Sequence, residues 1–241
     1  MDVDAVEASL EAFSRRNAVT FERLGTRQTQ VLELAAIVGV SQHYIASGFT
    51  VTAVNPRRST EFVVKAGTRG HPSDYSRVRC ERDGDAVELH SNLLVQGAHD
   101  DGKYCVDVGI TTPDIIPLSK GLPTWERLPN ADLLSFVEVK KLVVYPMLLA
   151  QFLGIVHEIK PAFLSLPAPV GFGRGEHLPP TLVALGHYSS NSSQIVEAFA
   201  RRGFSFLIRP SFDIRLAWSR RDPLLTPFYG QPDDGGSDLD A

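Results

Sequence analysis

Ser135-Phe136-Val137-Glu138-Val139-Lys140-Lys141 and, upstream, Tyr104-Cys105-Val106-Asp107-Val108-Gly109-Ile110 decide how this chain reads. Each is a short run rich in Val, Ile and Phe, the pattern of a buried β-strand. Each also carries charge where a buried strand wants none. An unpaired carboxylate or ammonium inside a protein is expensive, so Asp107, Glu138 and Lys140 are expected to partner one another on neighbouring strands. Glu138 and Lys140 are two residues apart and therefore share a strand face. Two carboxylates and a lysine on one sheet face are the minimum equipment for holding a divalent metal and activating a water against a phosphodiester. By itself an E-x-K triplet equally describes a surface ion pair on a half-exposed strand. The order of the surrounding elements separates the two readings.

Working outward, residues 3–24 carry an amphipathic helical pattern through Val6, Leu10, Phe13, Phe21 and Leu24, and Thr26–Ser47 a second one, stopped by Gly48. Phe49–Val54 reads as a strand, Glu61–Lys65 as a short one, and residues 67–74 as a loop. Arg77–Cys80 and Ala86–Leu89 flank Asp83-Gly84, a hairpin signal. Leu93–Gln96 continues in extended form, Ala98–Gly102 turns, and Tyr104–Thr111 is the next strand. Residues 112–134 hold four prolines and read as an inserted loop, with a short helical turn near Ala131–Leu134. Phe136–Lys140 is a strand and Tyr145–Glu158 a helix, with Pro146 in its first turn. After a Pro- and Gly-rich loop over 161–179 come a strand at Thr181–Leu185, a helix capped near Asn191–Ser193 and running to Arg202, and a strand at Phe204–Ile208. The order is helix, three or four antiparallel strands, helix, strand, helix, strand: an α/β fold with a mixed sheet flanked by helices.

The 241 residues suit one large domain with extensions, and 43% hydrophobic content supplies a core. The net charge of −4 gives no global signature of nucleic-acid binding, although a nuclease needs only a local basic groove. Cys80 and Cys105 fit no metal-ligand spacing and read as reduced core residues of a cytoplasmic protein. The acidic start Met1-Asp2-Val3-Asp4 is no signal peptide, and no apolar run is long enough to span a membrane.

This order, with these charges, resembles the PD-(D/E)xK nuclease superfamily, the restriction-endonuclease-like fold, and within it Mrr-like restriction endonuclease domains. Four pieces carry the likeness. Glu33-Leu34-Ala35 through Ser47-Gly48-Phe49-Thr50-Val51 is similar to the family's first helix and its entry into the sheet. Ser91-Asn92-Leu93-Leu94-Val95-Gln96-Gly97, a turn, and Val106-Asp107-Val108 are similar to the hairpin that ends in the catalytic Asp. Val137-Glu138-Val139-Lys140 is similar to the E-x-K strand. Leu185–Ser190, Ile195–Arg202 and Gly203-Phe204 resemble the closing strand–helix–strand. The likeness covers about residues 28–210. It divides the chain into an N-terminal helical extension (1–25), a nuclease-like domain (26–228, with the inserted loop 112–134) and an acidic tail (229–241) expected to be disordered. Two features depart from the family. Residues 112–134 stand where it has a short turn, and Pro113-Asp114 within them offers a literal "PD". Asp107 is preferred over Asp114 because it sits inside a strand pattern after the hairpin signature.

The resemblance implies a metal-dependent endonuclease. Asp107 and Glu138 would be hard oxygen ligands for Mg²⁺ or Mn²⁺, and the Val139 carbonyl would fill another position. Lys140 would orient the attacking water or help deprotonate it, and stabilise developing charge. Glu33, on the first helix, would lie above the site; a helix-surface Glu beside Arg27 or Gln30 is the ordinary alternative. The implied substrate is nucleic acid, DNA before RNA, in restriction or anti-phage defence. The fold permits a homodimer that cuts two strands and a partner protein of a defence system. Two rival readings stay open: a catalytically idle nuclease-like module that binds nucleic acid or protein, and an effector switched on by a partner or small ligand.

Other residues have plainer readings. Glu88 and His90 could face the site but are expected on a solvated strand face, Lys141 and Gln151 read as contacts to phosphate or the site rim or as a plain surface charge and helix-face amide, and His187 is expected in a structural role. Arg57, Arg58, Arg69, Arg77 and Arg79 are phosphate contacts or plain solvated surface. Arg201-Arg202 complement a helix C-terminus. Gly171-Phe172-Gly173-Arg174-Gly175 lacks the strand, helix and Lys-Ser/Thr of a phosphate loop and reads as a flexible loop able to touch DNA.

Overall fold

A computed structural model describes residues 28–56, 59, 62–115, 127–172 and 176–212. The expected helix at 3–24, Arg57-Arg58, Glu61, Gly173–Gly175, residues 116–126 of the insert and the acidic tail lie outside the described residues.

Three helices and seven strands are described: α1 (Gln28–Ala46), β1 (Thr50–Val54), β2 (Arg77–Arg82), β3 (Asp85–Gln96), β4 (Lys103–Thr111), β5 (Leu133–Lys140), α2 (Pro146–Ile159), β6 (Thr181–Ala184), α3 (Ser192–Arg201) and β7 (Leu207–Arg209). The strands form one mixed sheet whose spatial order is the chain order. β1 to β5 are antiparallel neighbours, and β5, β6 and β7 run parallel. The parallel pairs need crossovers, and α2 and α3 supply them. The protein is thus a mixed α/β fold.

Local signals account for most boundaries. Gly48, at φ 86°, ends α1, and the Phe49 N–H folds back to the Tyr44 carbonyl. Asp83 and Gly84, both at positive φ, make the tight β2–β3 turn. Pro146 opens α2 after an extended Tyr145, where a missing N–H does no harm.

Each sheet face has its own core. Leu32–Val40 of α1 is buried throughout, so this stretch is covered on every side, Glu33 included. It packs with Val87, Leu89, Val108, Ile110, Val137, Val139 and Val183. Phe136, Leu182 and Ala184 instead join a second core with Leu148, Leu149, Phe152 and Val156 of α2. Neighbouring residues of β5 and β6 therefore alternate between the α1 side and the α2 side.

Two irregularities position the site. The β4–β5 register shifts between Ile110 and Thr111. Along β3, Val87 and Leu89 face the α1 core whereas Leu93 and Val95, of the same parity, face the α2 core. Asn92 lies between them at φ 47°, a left-handed conformation that interrupts the alternation.

The structure corrects several boundaries. Ala86–Leu89 and Leu93–Gln96 belong to one strand of 12 residues. The antiparallel part has five strands, because β1 joins the meander. Val63–Lys65 is irregular rather than a strand. Residues 112–134 are not all loop: Leu128 exchanges backbone bonds with Leu94 and Gln96, Asn130–Asp132 makes a helical turn, and β5 begins at Leu133.

Candidate active site

The β4–β5 ladder reaches its last rung at Val108–Val137, and one step further Asp107 comes level with Glu138. There Asp107 reaches across to β5: its Oδ2 accepts the Val139 N–H at 2.7 Å. A carboxylate thus serves where a backbone carbonyl would continue the ladder. Lys140 closes the cluster, its Nζ donating to Glu138 Oε2 at 2.8 Å and lying 3.6 Å from Asp107 Oδ2. Asp107, Glu138 and Lys140 are brought together as the spacing predicts.

Burial grades the three. The side chain of Glu138 is 5% exposed, that of Asp107 19% and that of Lys140 33%. Burial, then the charge of Asp107, pushes the Glu138 carboxyl up to about 7, against the pull of Lys140. Burial works against the Lys140 ammonium, but Glu138 and Asp107 outweigh it and hold its pKa above the ordinary value. Lys140 therefore offers the site an ammonium donor, bonded to Glu138 and close to Asp107.

Glu33 projects from α1 into the same environment. It is 8% exposed, and its Oε2 accepts from Asn92 Nδ2 at 2.7 Å. Burial raises its pKa, the Asn92 bond lowers it, and the fields of Asp107 and Lys140 act with opposite sign. Glu33 is thus not a helix-surface residue. Asp114 lies elsewhere: it is exposed, at φ 60°, and bonds Arg79 Nη1 at 2.7 Å.

A hard divalent cation fits the donor set. Glu138 Oε1 is buried without a hydrogen-bond partner, a polar atom in want of a positive neighbour. Among the described residues no three His, Cys, Asp or Glu side chains converge tightly enough to hold a metal alone. Asp107, Glu138 and the Val139 carbonyl would hold it, with water and substrate oxygens completing the shell, as Mg²⁺ commonly requires.

Other expectations are overturned. Glu88 is 0% and His90 4% exposed, not on a solvated face. Arg77, which the sequence left between phosphate contact and surface, is also buried, its Nε 2.9 Å from Glu88 Oε1. His90 Nε2 lies 3.3 Å from Glu88 Oε2. Burial pushes the Glu88 carboxyl up, but His90 and Arg77 more than offset this and hold it below the ordinary value. Burial lowers the pKa of His90, against the pull of Glu88. Arg79 contacts Glu81, Asp114 and Glu88. Cys80 is buried as expected, whereas Cys105, two residues before Asp107, is exposed.

Sequence reasoning missed Lys65 and Asn92. Lys65 is 2% exposed, and its Nζ donates to the Asn92 carbonyl at 2.6 Å. The only prior signal was an Asn inside a strand pattern, a residue that tolerates left-handed φ.

No family model, curated protein or solved structure matches this chain, so the geometry of the site has to carry its chemistry. No helix among the described residues is long and apolar enough to cross a membrane.

Proposed function

We propose that this protein is a metal-dependent endonuclease of the PD-(D/E)xK type, with a restriction-endonuclease-like fold and DNA as its first substrate. One observation carries the reading: Asp107, Glu138 and Lys140 meet within hydrogen-bonding or ion-pair reach where β4 and β5 part, and Glu138 keeps a buried, unpartnered oxygen. The order of elements supports it. An antiparallel meander brings the Asp strand beside the E-x-K strand, and α2 returns the chain to β6, parallel to β5.

Mg²⁺ or Mn²⁺, held by Asp107, Glu138 and the Val139 carbonyl, would offset phosphate charge and acidify a water. The chain's own residues do the rest. Asp107 is fixed by the Val139 N–H, so its carboxylate is set before any ligand arrives. Lys140, partly exposed and kept protonated by the two carboxylates, presents an ammonium to a phosphate oxygen and to the attacking water. The burial of Glu138 makes its negative charge costly, which favours binding of a cation over an unfilled site.

The test is cleavage of plasmid and single-stranded substrates by the purified protein with Mg²⁺ or Mn²⁺, with Glu138→Ala and Lys140→Ala alongside. The expected result is metal-dependent cleavage lost by at least about 100-fold in both variants. Cleavage that survives both substitutions refutes the assignment. A folded, metal-replete protein that cuts nothing refutes the autonomous nuclease and favours a module that binds or awaits an activator.

A further inference from the structure

Asn92 is where three parts of the chain are tied together at the level of the site. With Ser91 facing Val108 and Leu93 facing Val106, Asn92 stands opposite Asp107, and the ladder skips that rung. The row Asn92, Asp107, Glu138 thus crosses the three central strands. Asn92 is 7% exposed and holds a left-handed φ of 47°. Its Nδ2 donates to Glu33 Oε2 at 2.7 Å and to the Lys65 carbonyl at 2.9 Å, which accounts for both amide protons. Its own carbonyl accepts from the buried Lys65 Nζ at 2.6 Å, and the Lys65 N–H reaches Ser91 Oγ at 3.3 Å. Every polar group of this knot is buried, so each bond is expensive to leave unmade.

The residue type suits the task. Left-handed φ is open to Gly, Asn and Asp. Gly would bring no amide to Glu33. Asp would set a further carboxylate against Glu33 and bring no donor while ionised. Asn alone combines the backbone with a neutral double donor. The turn at Asn92 removes the rung that would hold Asp107 flat against β3, and Asp107 instead reaches β5.

We propose that Asn92 is a positioning residue of the active site: it fixes the Glu33 carboxylate over the site and, through the turn in β3, sets Asp107 toward Val139 and Glu138. Lys65 is its clamp. This rests on the nuclease reading given above, for which Glu33 and Asp107 are working groups.

The experiment compares wild type, Asn92→Gly, Asn92→Asp and Asn92→Val in metal-dependent cleavage from pH 6 to 8.5, with Glu138→Ala as the control for the nuclease reading. The Val139 amide resonance is followed in parallel by NMR without metal. Asn92→Gly keeps the left-handed backbone and deletes both side-chain bonds. It is expected to lower kcat by about 10- to 100-fold, the range for removing a partner that orients a site ligand, with KM for DNA within about twofold. The Val139 resonance is expected to stay in place in Asn92→Gly and to move in Asn92→Val, whose β-branched side chain disfavours the left-handed turn that sets its Asp107 acceptor. Asn92→Asp is expected to be equally poor at pH 8.5, with its activity relative to wild type rising toward pH 6 as a protonated Asp regains one donor. Wild-type kcat in Asn92→Gly, or an unmoved Val139 resonance in Asn92→Val, overturns the proposal. Should the wild type cleave nothing, the nuclease reading falls and the Val139 resonance still decides: moved, the positioning role stands; unmoved, it falls.

Discussion

Replacing Glu138 by Gln is expected to stabilise the metal-free protein, and only where the native carboxylate would be ionised. In the folded chain burial and Asp107 push the Glu138 carboxyl from 4.5 up to about 7. A carboxyl raised on folding favours the folded state while protonated. That contribution is full below 4.5 and is lost as pH rises through about 7, because the unfolded chain ionises first. At about 1.4 kcal/mol for each tenfold, the gap amounts to about 3 kcal/mol. Gln keeps the shape of the protonated acid and has no charge to bury. The stability difference between Glu138→Gln and wild type should therefore grow from near zero at pH 4 to about 3 kcal/mol in favour of Gln at pH 8. For a chain of this size that is about 6–12 °C in Tm. The assay is urea unfolding in EDTA at a series of pH values, where titrating groups remote from Glu138 cancel between the two proteins. A difference that stays flat with pH, or a Gln variant less stable at pH 8, would refute the account of how Glu138 is held.

Asp107→Asn should abolish metal-dependent cleavage while Asp114→Asn leaves it near wild type, since Asp114 only bonds a surface Arg79; initial rates on plasmid DNA decide. Arg77→Ala should cost about 3–5 kcal/mol at pH 7 by leaving Glu88 buried without its nearest cation. Glu88 is held below its ordinary pKa, so its contribution is present above 4.5 and lost at lower pH; the penalty measured by urea unfolding should shrink on acidification. Gly186→Ala should cost about 1–3 kcal/mol, because a Cβ there would meet Val143 Cα at 2.5 Å and the Leu142 carbonyl oxygen at 2.7 Å, backbone atoms that cannot swing aside; a lower urea midpoint with unchanged slope is the expected result.

Much of this architecture is visible in the chain because it is written in short-range signals. Gly48, Asp83-Gly84 and Pro146 mark their boundaries through backbone preferences that no distant contact overrides. Glu138 and Lys140 share a face by strand parity alone, and their bond follows. The misses have one physical origin. Strand parity tells which residues share a face, not whether that face is covered. Glu88, His90 and Arg77 therefore read as solvated or left open, and prove to be a buried ionic group. Asn92 breaks parity itself, so the one strand through it read as two segments, and its two halves belong to two cores. Lys65 ends a segment with no regular structure, where no periodicity signals that its ammonium turns inward.

The agreement between chain order and strand order has a kinetic consequence. Each strand from β2 onward pairs with the strand just before it, and the β2–β3 and β3–β4 turns are short, so that part of the sheet pairs quickly between sequence neighbours. Synthesis proceeds from the N-terminus, so the sheet can be laid down one strand at a time as the chain emerges. Glu33 and Asn92 can meet once β3 is made, whereas Asp107 has no lysine beside it until β5 arrives with Glu138 and Lys140. A nascent chain therefore carries the scaffold of its site before it carries the chemistry, and the two carboxylates meet their lysine only when β5 joins the sheet, with β6 and β7 still to follow.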